Sequence, residues 1–208
     1  MPRYYEINGQ LYTSVTTALS IVHKPLLETW RGNLGNEEAD RLRDEAAVLG
    51  RQIHACCHEV VKGGLAYPHP LVDAFEEWFR ATVKEVILAE TPTWHDLYRY
   101  AGTPDLVAVL KGDRAVPTMI DIKTTGAIWP DMGLQLAAYQ EALKTHGIKT
   151  KRRLIVHLDK KAVAPVAKVK EFSNEQDFNM FLYALSLYNY FNGGVLNGRK
   201  DCDVIKVS

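Results

Sequence analysis

The alternation of apolar and polar positions is clearest in residues 102–125, which read GTPDLVAVLKGDRAVPTMIDIKTT. Residues 106–110 are all apolar, and such a run is typical of a strand that is covered on both faces. In residues 119–123 two isoleucines alternate with Asp121 and Lys123, which predicts a strand with one apolar face and one charged face. We therefore predict two strands in this stretch.

Turn-forming residues connect these two strands. Gly112 and Asp113 lie in the polar segment between them, and Pro117 prevents further strand pairing at that point. We therefore predict a β-hairpin. Because Asp105 immediately precedes the first strand, the hairpin would bring its carboxylate close to that of Asp121.

Apolar residues recur at helical spacing through most of the preceding chain. The exception is Asn8-Gly9, which lies between two short runs rich in aromatic and β-branched residues and predicts a hairpin over residues 4–13. The predicted helices are one capped by Ser14 and ending at Val22, one beginning at Pro25, one from Asn36 to Lys62, and one from Leu71 to Lys84.

From residue 85 onward, strands dominate the pattern. Two helices interrupt them, one over residues 131–145 with Asp131 as its cap and one over residues 173–190. The predicted strands are residues 86–90, 97–100, 106–110, 119–123, 154–158 and 163–169, with an edge strand at residues 203–208. This order of elements predicts an α/β fold of mixed, partly α+β character, with a central mixed sheet flanked by helices.

The chain has 208 residues, which is the length of one domain. We expect a single domain with a mainly helical N-terminal part (residues 1–84), a strand-rich part with its motif helix (residues 85–170), and a C-terminal helix and tail (residues 171–208). Hydrophobic residues make up 47% of the chain, and no apolar run approaches the roughly 20 residues needed to cross a bilayer. We expect a soluble protein that does not associate with membranes.

The cysteine content indicates a reducing compartment. Cys56, Cys57 and Cys202 form no paired framework, and the N-terminal residues lack the charged and apolar segments of a secretory signal. The cytoplasm is the expected location.

The chain carries 25 basic and 25 acidic residues, so its net charge is zero. This balance argues against a protein that coats nucleic acid by electrostatics alone, but not against an enzyme that acts on nucleic acid, because bound divalent ions add positive charge. Basic residues cluster at residues 149–153 and 160–170. Each cluster is either a phosphate-facing patch or a set of solvated strand ends.

Gln135 and Tyr139 are four residues apart and so share one face of the predicted helix 131–145. The face is otherwise mostly apolar, and a glutamine there needs a hydrogen-bond partner. Either it bonds a loop carbonyl, or it holds a functional loop or a substrate phosphate.

Three motifs occur in order along this part of the chain: GTPD at residues 102–105, DIK at residues 121–123 and QLAAY at residues 135–139. Together they resemble the successive motifs of the PD-(D/E)xK nuclease superfamily, and the Q-x-x-x-Y element resembles its RecB-like and phage lambda-type exonuclease branches. The resemblance covers residues 90–139 and implies a restriction-endonuclease-like core.

The resemblance also implies a metal site. Asp105, Asp121 and the main-chain carbonyl of Ile122 would bind Mg²⁺ or Mn²⁺, which prefer oxygen ligands. Lys123 would stay protonated beside these carboxylates and would act as an orienting and charge-stabilising group. Gln135 and Tyr139 would complete the catalytic site. The alternative for Asp121 and Lys123 is an ordinary surface salt bridge.

Two further residues match the family more loosely. Glu90 corresponds to the acidic residue that lambda-type exonucleases carry before the first aspartate, or it is a surface carboxylate at a strand end. His54, in GRQIH, resembles the G-x-x-x-H helix element whose histidine can join the metal site, or it is structural. His54 and His58 have the spacing of a zinc pair, but Glu59 follows the second histidine instead of the first, so a zinc metalloprotease is rejected.

Other cofactors are not expected. Several RecB-like relatives hold an iron-sulfur cluster on one cysteine before the motifs and three after them, but only Cys202 follows the motifs here. The chain contains no G-x-x-x-x-G-K-[ST] motif, so we expect no ATP.

The leading hypothesis is a cytoplasmic Mg²⁺- or Mn²⁺-dependent deoxyribonuclease. We expect an exonuclease that acts on linear DNA with single- or double-stranded ends in phage or mobile-element recombination or repair, with a recombination or helicase protein as a candidate partner. The alternatives are a structure-specific endonuclease and a DNA-binding or assembly protein that keeps the fold without cleaving. Trp94, Trp129 and Tyr98 are candidates for stacking on unpaired bases, although core packing is favoured for Tyr98.

Overall fold

The computed structural model describes residues 2–113, 116–192 and 202–207. Ten strands and six helices lie in these residues. The strands are β1 (Arg3–Ile7), β2 (Gln10–Ser14), β3 (Val83–Ala89), β4 (Thr93–His95), β5 (Tyr100–Gly102), β6 (Leu106–Leu110), β7 (Thr118–Lys123), β8 (Arg152–Leu158), β9 (Ala167–Glu171) and β10 (Asp203–Val207). The helices are α1 (Val15–Leu19), α2 (Pro25–Leu34), α3 (Asn36–Val61), α4 (Pro70–Thr82), α5 (Asp131–Thr145) and α6 (Asp177–Phe191).

The first sheet has the strand order β3-β6-β7-β8-β9 and is the predicted central mixed sheet. β6 and β7 pair antiparallel, which confirms the predicted hairpin, whereas β7 and β8 pair parallel. A parallel connection needs a crossover, and α5 supplies it. This crossover places α5 directly after the strand that carries Asp121 and Lys123.

The alternation along β7 separates two apolar layers. Ile120 and Ile122 belong to the cluster that packs against α3 and α4. Met119 belongs to the opposite cluster, which is formed with α1, α5 and α6. Since successive side chains of a strand alternate in direction, Asp121 and Lys123 lie on the same face as Met119.

A second sheet, with the order β10-β1-β2-β5-β4, was not predicted as a separate layer. It contains the predicted N-terminal hairpin, in which Asn8 and Gly9 form a two-residue turn with φ values of 50° and 73°. Such positive values are those that Asn-Gly turns accommodate at low cost. β10 pairs with β1 at the edge, as predicted for the tail, although Ser208 lies outside the described residues.

The predicted strand at residues 97–100 is wrong. Residues 97–99 lie in the turn between β4 and β5, which pair antiparallel, and only Tyr100 belongs to a strand. Arg99 adopts a φ of 54° there, and its N–H donates to the His95 carbonyl at 2.9 Å. The turn contains neither glycine nor proline, so its composition resembled that of a strand.

Several predicted boundaries also needed correction. The strand predicted at residues 163–169 begins only at Ala167, the helix predicted to run to Lys84 ends at Thr82, and the helix capped by Ser14 ends at Leu19 instead of Val22. The last helix begins at Asp177 and not at residue 173.

Asp131 does not cap α5, because Pro130 occupies the N-cap position. The Asp131 carboxylate instead lies 2.6 Å from Nζ of Lys24. This ion pair joins the start of α5 to the start of α2, a helix that has no buried residue of its own.

No helix in the described ranges is long and apolar enough to cross a membrane.

The second sheet is packed tightly against α5. A Cβ atom added at Gly102, in β5, would lie 2.3 Å from Cε1 of Tyr139. The Tyr100 hydroxyl on the same strand donates to the Ala138 carbonyl of α5 at 3.0 Å. Gly102 is therefore needed for the close approach of the Tyr139 ring, and not for an unusual backbone conformation.

We expect Gly102→Ala to lower the free energy of unfolding by about 1–3 kcal/mol, because an added methyl group overpacks this contact. Gly32→Ala is the matched control. Gly32 lies within α2, and a methyl group added there would have no atom within 4 Å, so alanine should raise the stability by up to roughly 1 kcal/mol through helix propensity. Urea denaturation measures both changes, and equal stability of Gly102→Ala and the native protein would contradict the proposed contact.

Candidate active site

One cavity of about 610 Å³ collects all seven side chains that sequence analysis selected as site residues. The cavity lies between α3, the second sheet, and the ends of β3, β6 and β7. The seven side chains are His54, Glu90, Asp105, Asp121, Lys123, Gln135 and Tyr139.

Asp105 is held by the hairpin that it precedes. Its Oδ2 accepts a hydrogen bond from the backbone N–H of Ile122 at 2.6 Å, while its Oδ1 lies 3.3 Å from Nδ1 of His54. The loop before it is tied to the second sheet through the hydroxyls of Tyr5 and Thr103, 3.0 Å apart. Burial raises the pKa of Asp105, but His54 and the other positive neighbours outweigh burial and hold the pKa below its usual value.

Asp121 and Lys123 form a buried pair, in which Nζ lies 2.5 Å from Oδ2. The Asp121 side chain is 3% exposed, so this pair is not a surface salt bridge. Burial raises the pKa of Asp121 to about 6, against the effect of Lys123. For Lys123, burial favours the neutral amine, but the carboxylates of Asp121 and Asp105 outweigh it and raise the pKa. The ammonium form of Lys123 is therefore the stable one.

Gln135 connects this pair to α5. Its Nε2 donates to Oδ1 of Asp121 and to the hydroxyl of Tyr139, each at 3.1 Å. The partner of this glutamine is therefore a carboxylate and not a loop carbonyl. Tyr139 is itself buried, and burial raises the pKa of its hydroxyl well above the usual value, so it stays a neutral hydrogen-bonding group.

His54, Glu90 and Asp105 form a group whose ligand atoms all lie within 4.8 Å of one another. Glu90 follows β3 with a φ of 47°, and its N–H donates to the Asp105 carbonyl at 3.2 Å. One imidazole nitrogen and two carboxylate oxygens form a donor set that suits a divalent cation. Glu90 and His54 match the family only loosely, but both lie at the site beside Asp105 and are not isolated surface side chains.

Asp121 is not a member of this group, and its two oxygens contact Lys123 and Gln135. The main-chain N–H of Ile122 is bound by Asp105, whereas a ligand role for the Ile122 carbonyl stays a prediction. A metal ligand role for Asp121 would require a cation to compete with Lys123 for Oδ2.

Protons compete with a cation for these donors. Burial, reinforced by Asp105, raises the pKa of Glu90 to about 7. Burial lowers the pKa of His54, but the carboxylates of Asp105 and Asp121 outweigh it, and the net change is upward. Glu90 is therefore partly protonated near neutral pH, and metal binding would release its proton.

Arg51 also lines the cavity and was not predicted as a functional residue, although it belongs to the GRQIH motif. Arg51 lies three residues before His54 on α3, so both face the cavity. It forms no hydrogen bond or ion pair within the part of the chain that the structure describes, unlike the other arginines described there. Its spacing of three residues from His54, which places both on one helical face, was the feature of the sequence that could have identified it.

Two arginines of the first basic cluster and two of the three aromatic candidates lie outside this cavity. Arg152 pairs with Glu171 at 2.9 Å and Arg153 with Asp177 at 3.2 Å, so these arginines are already neutralised. Trp94 packs edge-on against His146, with ring centroids 4.3 Å apart. Tyr98 packs against His95 and Phe178. Trp129 instead lines a second cavity next to the first.

A mixed sheet that presents two aspartates and a lysine, with His54 and Glu90 close to one of the aspartates, is the arrangement expected of a metal-dependent nuclease. The chain belongs to the PD-(D/E)XK nuclease superfamily, whose family model matches residues 20–189. Nucleases of this superfamily use divalent metal ions, and the donor group fits that requirement.

Two solved structures match this chain at low sequence identity. A protein designated SSO0001 has a TM-score of 0.51 and 15% identity, over 86% of this chain and 75% of its own. A candidate exonuclease from Eubacterium rectale has a TM-score of 0.49 and 13% identity, over 89% of this chain and 80% of its own. Comparison with curated proteins gives no significant match.

We expect the affinity for Mn²⁺ to rise by about tenfold or more between about pH 6 and pH 8. The affinity should rise with pH because the pKa of Glu90 is raised to about 7. Its carboxyl group binds a proton below that pH and is free to bind the cation above it. Calorimetric titration at several pH values, in buffers of different ionisation enthalpy, measures both the affinity and the protons released.

Glu90→Gln should weaken Mn²⁺ binding and flatten its pH dependence. Glu59→Gln is the matched control, because Glu59 lies on α3 with half of its side chain exposed and is not in the donor group. An affinity for Mn²⁺ that does not change with pH would contradict the involvement of Glu90.

Proposed function

We propose that this chain is a Mg²⁺- or Mn²⁺-dependent deoxyribonuclease of the RecB-like or lambda-type branch, which acts as an exonuclease on DNA ends. The observation that carries the proposal is the position of the buried Asp121–Lys123 pair in the same cavity as the His54, Glu90 and Asp105 donor group. A cytoplasmic role in phage or mobile-element recombination or repair, with a helicase or recombination protein as partner, is part of the same proposal.

The donor group would hold the cation, and the cation would supply Lewis acidity that activates water and offsets phosphate charge. Asp105 can serve as a ligand through Oδ1, because its Oδ2 is bound to the Ile122 N–H. That bond fixes the orientation of the carboxylate before any ligand binds. His54 and Glu90 approach it from α3 and from the end of β3.

Lys123 is proposed to stabilise the developing negative charge. Its ammonium group is protonated and lies at the cavity, so it can donate to the attacking water or to a non-bridging phosphate oxygen. Gln135 fixes the rotation of the Asp121 carboxylate, and Tyr139 fixes Gln135. The ammonium group is thereby held in one position, which limits reorganisation during the reaction.

Arg51 is proposed to bind a phosphate of the substrate. An arginine can donate two parallel hydrogen bonds to a phosphate, and Arg51 has no carboxylate to neutralise it within the described residues. It lines the same cavity as Lys123, so both cationic side chains border the space that a substrate phosphate would enter.

The walls of the cavity favour an enzyme that takes a DNA end. Helix α3 contributes Arg51 and His54 on one side, while the second sheet contributes Tyr5 and Ser14. A strand end can enter a site that is walled on two sides more readily than a continuous duplex can.

We expect Asp121→Asn to reduce Mn²⁺-dependent DNA cleavage by at least about a hundredfold, because the variant loses the charge that holds Lys123. Asp73→Asn, on the exposed surface of α4, is the control that should leave cleavage unchanged. The assay uses end-labelled linear single-stranded and duplex DNA and closed circular DNA, with EDTA as the metal-free condition.

The outcomes of this assay separate the candidate functions. Cleavage of linear DNA with closed circles left intact supports an exonuclease, whereas cut circles indicate the endonuclease alternative. DNA binding without any metal-dependent cleavage indicates the non-cleaving alternative. Full cleavage by Asp121→Asn would show that the assigned site is wrong.

Arg51→Ala is expected to raise KM for DNA by about tenfold or more with little change in kcat, since it removes one charge-assisted bond to phosphate. Arg51→Lys should restore part of the loss. Arg43→Ala is the control, because Arg43 lies on the same helix but outside the cavity and pairs with Asp40 and Asp44. The proposed contact is contradicted if the two alanine variants have the same KM.

A further inference from the structure

A second cavity of about 790 Å³ adjoins the proposed catalytic cavity. Thr16, Lys123 and Gln135 line both cavities, so the two spaces are neighbours at these three side chains. The second cavity extends between the segment that joins α1 to α2 and the loop that joins β7 to α5. A DNA strand with a phosphate at Lys123 would therefore place its neighbouring nucleoside at the entrance of this space.

The second cavity offers no free cation for another phosphate. Among the described residues that line it, each charged side chain has a partner of opposite charge: Lys24 pairs with Asp131 at 2.6 Å, and His23 lies 3.2 Å from Glu28. Lys123 is paired with Asp121. A second phosphate would thus gain little here, because Lys24 is compensated by Asp131 and Lys123 would already bind the first phosphate.

The remaining lining is largely apolar. Leu27, 51% exposed, points into the cavity from α2, which buries none of its residues in the core. Trp129 lines the cavity from the β7–α5 loop and is partly buried against the core. The other apolar lining residues are Leu19, Ile21, Val22 and Met132. Hydroxyl groups of Thr16, Ser20 and Thr125 add polar partners to the lining.

We propose that this cavity receives an unpaired nucleobase of the substrate strand, which contacts Trp129 and Leu27 while its phosphate lies at Lys123. The inference rests on the proposed nuclease function and specifies its substrate. A base inside a duplex has its faces covered by neighbouring bases and its edge by the opposite strand, so it cannot enter. The enzyme would therefore select single-stranded or frayed ends.

The test compares two oligonucleotides of equal length, one of thymidine and one without bases. Binding is measured with Mn²⁺ in the Asp121→Asn background, after cleavage by that variant has been checked to be absent on the timescale of the measurement. Trp129→Ala should weaken binding of the thymidine strand by roughly 5- to 150-fold, the range of one base–aromatic stack, and should leave binding of the abasic strand unchanged. Trp129→Phe should restore most of the affinity.

Trp30→Ala is the matched control, because Trp30 lies on α2, is 38% exposed and lines neither cavity. If Trp129→Ala weakens both strands equally, Trp129 acts through the fold and the inference is overturned. The same holds if Trp129→Ala and Trp30→Ala bind the thymidine strand alike.

A cleavage assay provides a second arm on the native protein. Duplexes with mismatched, frayed ends should be cut faster than fully paired blunt duplexes, and Trp129→Ala should reduce this preference. Equal rates on both duplexes, or an unchanged preference in Trp129→Ala, would overturn the inference and leave the nuclease function intact. Failure of the native protein to cleave or bind any DNA would instead reject the proposed function itself.

Discussion

The burial of the Asp121 carboxylate is the constraint on which the site depends. A charge removed from water is costly unless hydrogen bonds and an opposite charge compensate it, and Lys123 and Gln135 supply both. Lys123 comes from the same strand, but Gln135 must be brought by α5. Its position depends on Tyr139, whose ring reaches the second sheet at Gly102. One buried charge therefore ties together a strand, a crossover helix and a second sheet.

The parts of this arrangement that sequence could predict are local ones. A strand alternates its side chains with period two, so Asp121 and Lys123 had to share a face, and Gln135 and Tyr139 had to share one helical face four residues apart. The hairpin followed from its turn residues. The family motifs then related these separate pieces to a single site, which no periodicity could have done.

The parts that sequence could not predict depend on contacts between distant segments. The approach of Glu90 to Asp105 requires the pairing of β3 with β6, whose register shifts twice and leaves no mark in the sequence. The second sheet joins strands from both ends of the chain, and only its N-terminal hairpin and its C-terminal edge strand were predicted. The turn at Arg99 was assigned as a strand because its positive φ is imposed by its surroundings.

The two oxygens of the Asp105 carboxylate have different roles, and this difference affects how metal binding and DNA binding influence each other. One oxygen serves the fold through the Ile122 N–H, and the donor group offers a cation one atom each from His54, Glu90 and Asp105. Magnesium and manganese prefer about six oxygen-type ligands, so water and the substrate can supply further ones. A DNA phosphate that joins the coordination shell would strengthen metal binding, and by reciprocity the metal would strengthen DNA binding by the same factor. Metal and substrate then bind as a cooperative pair.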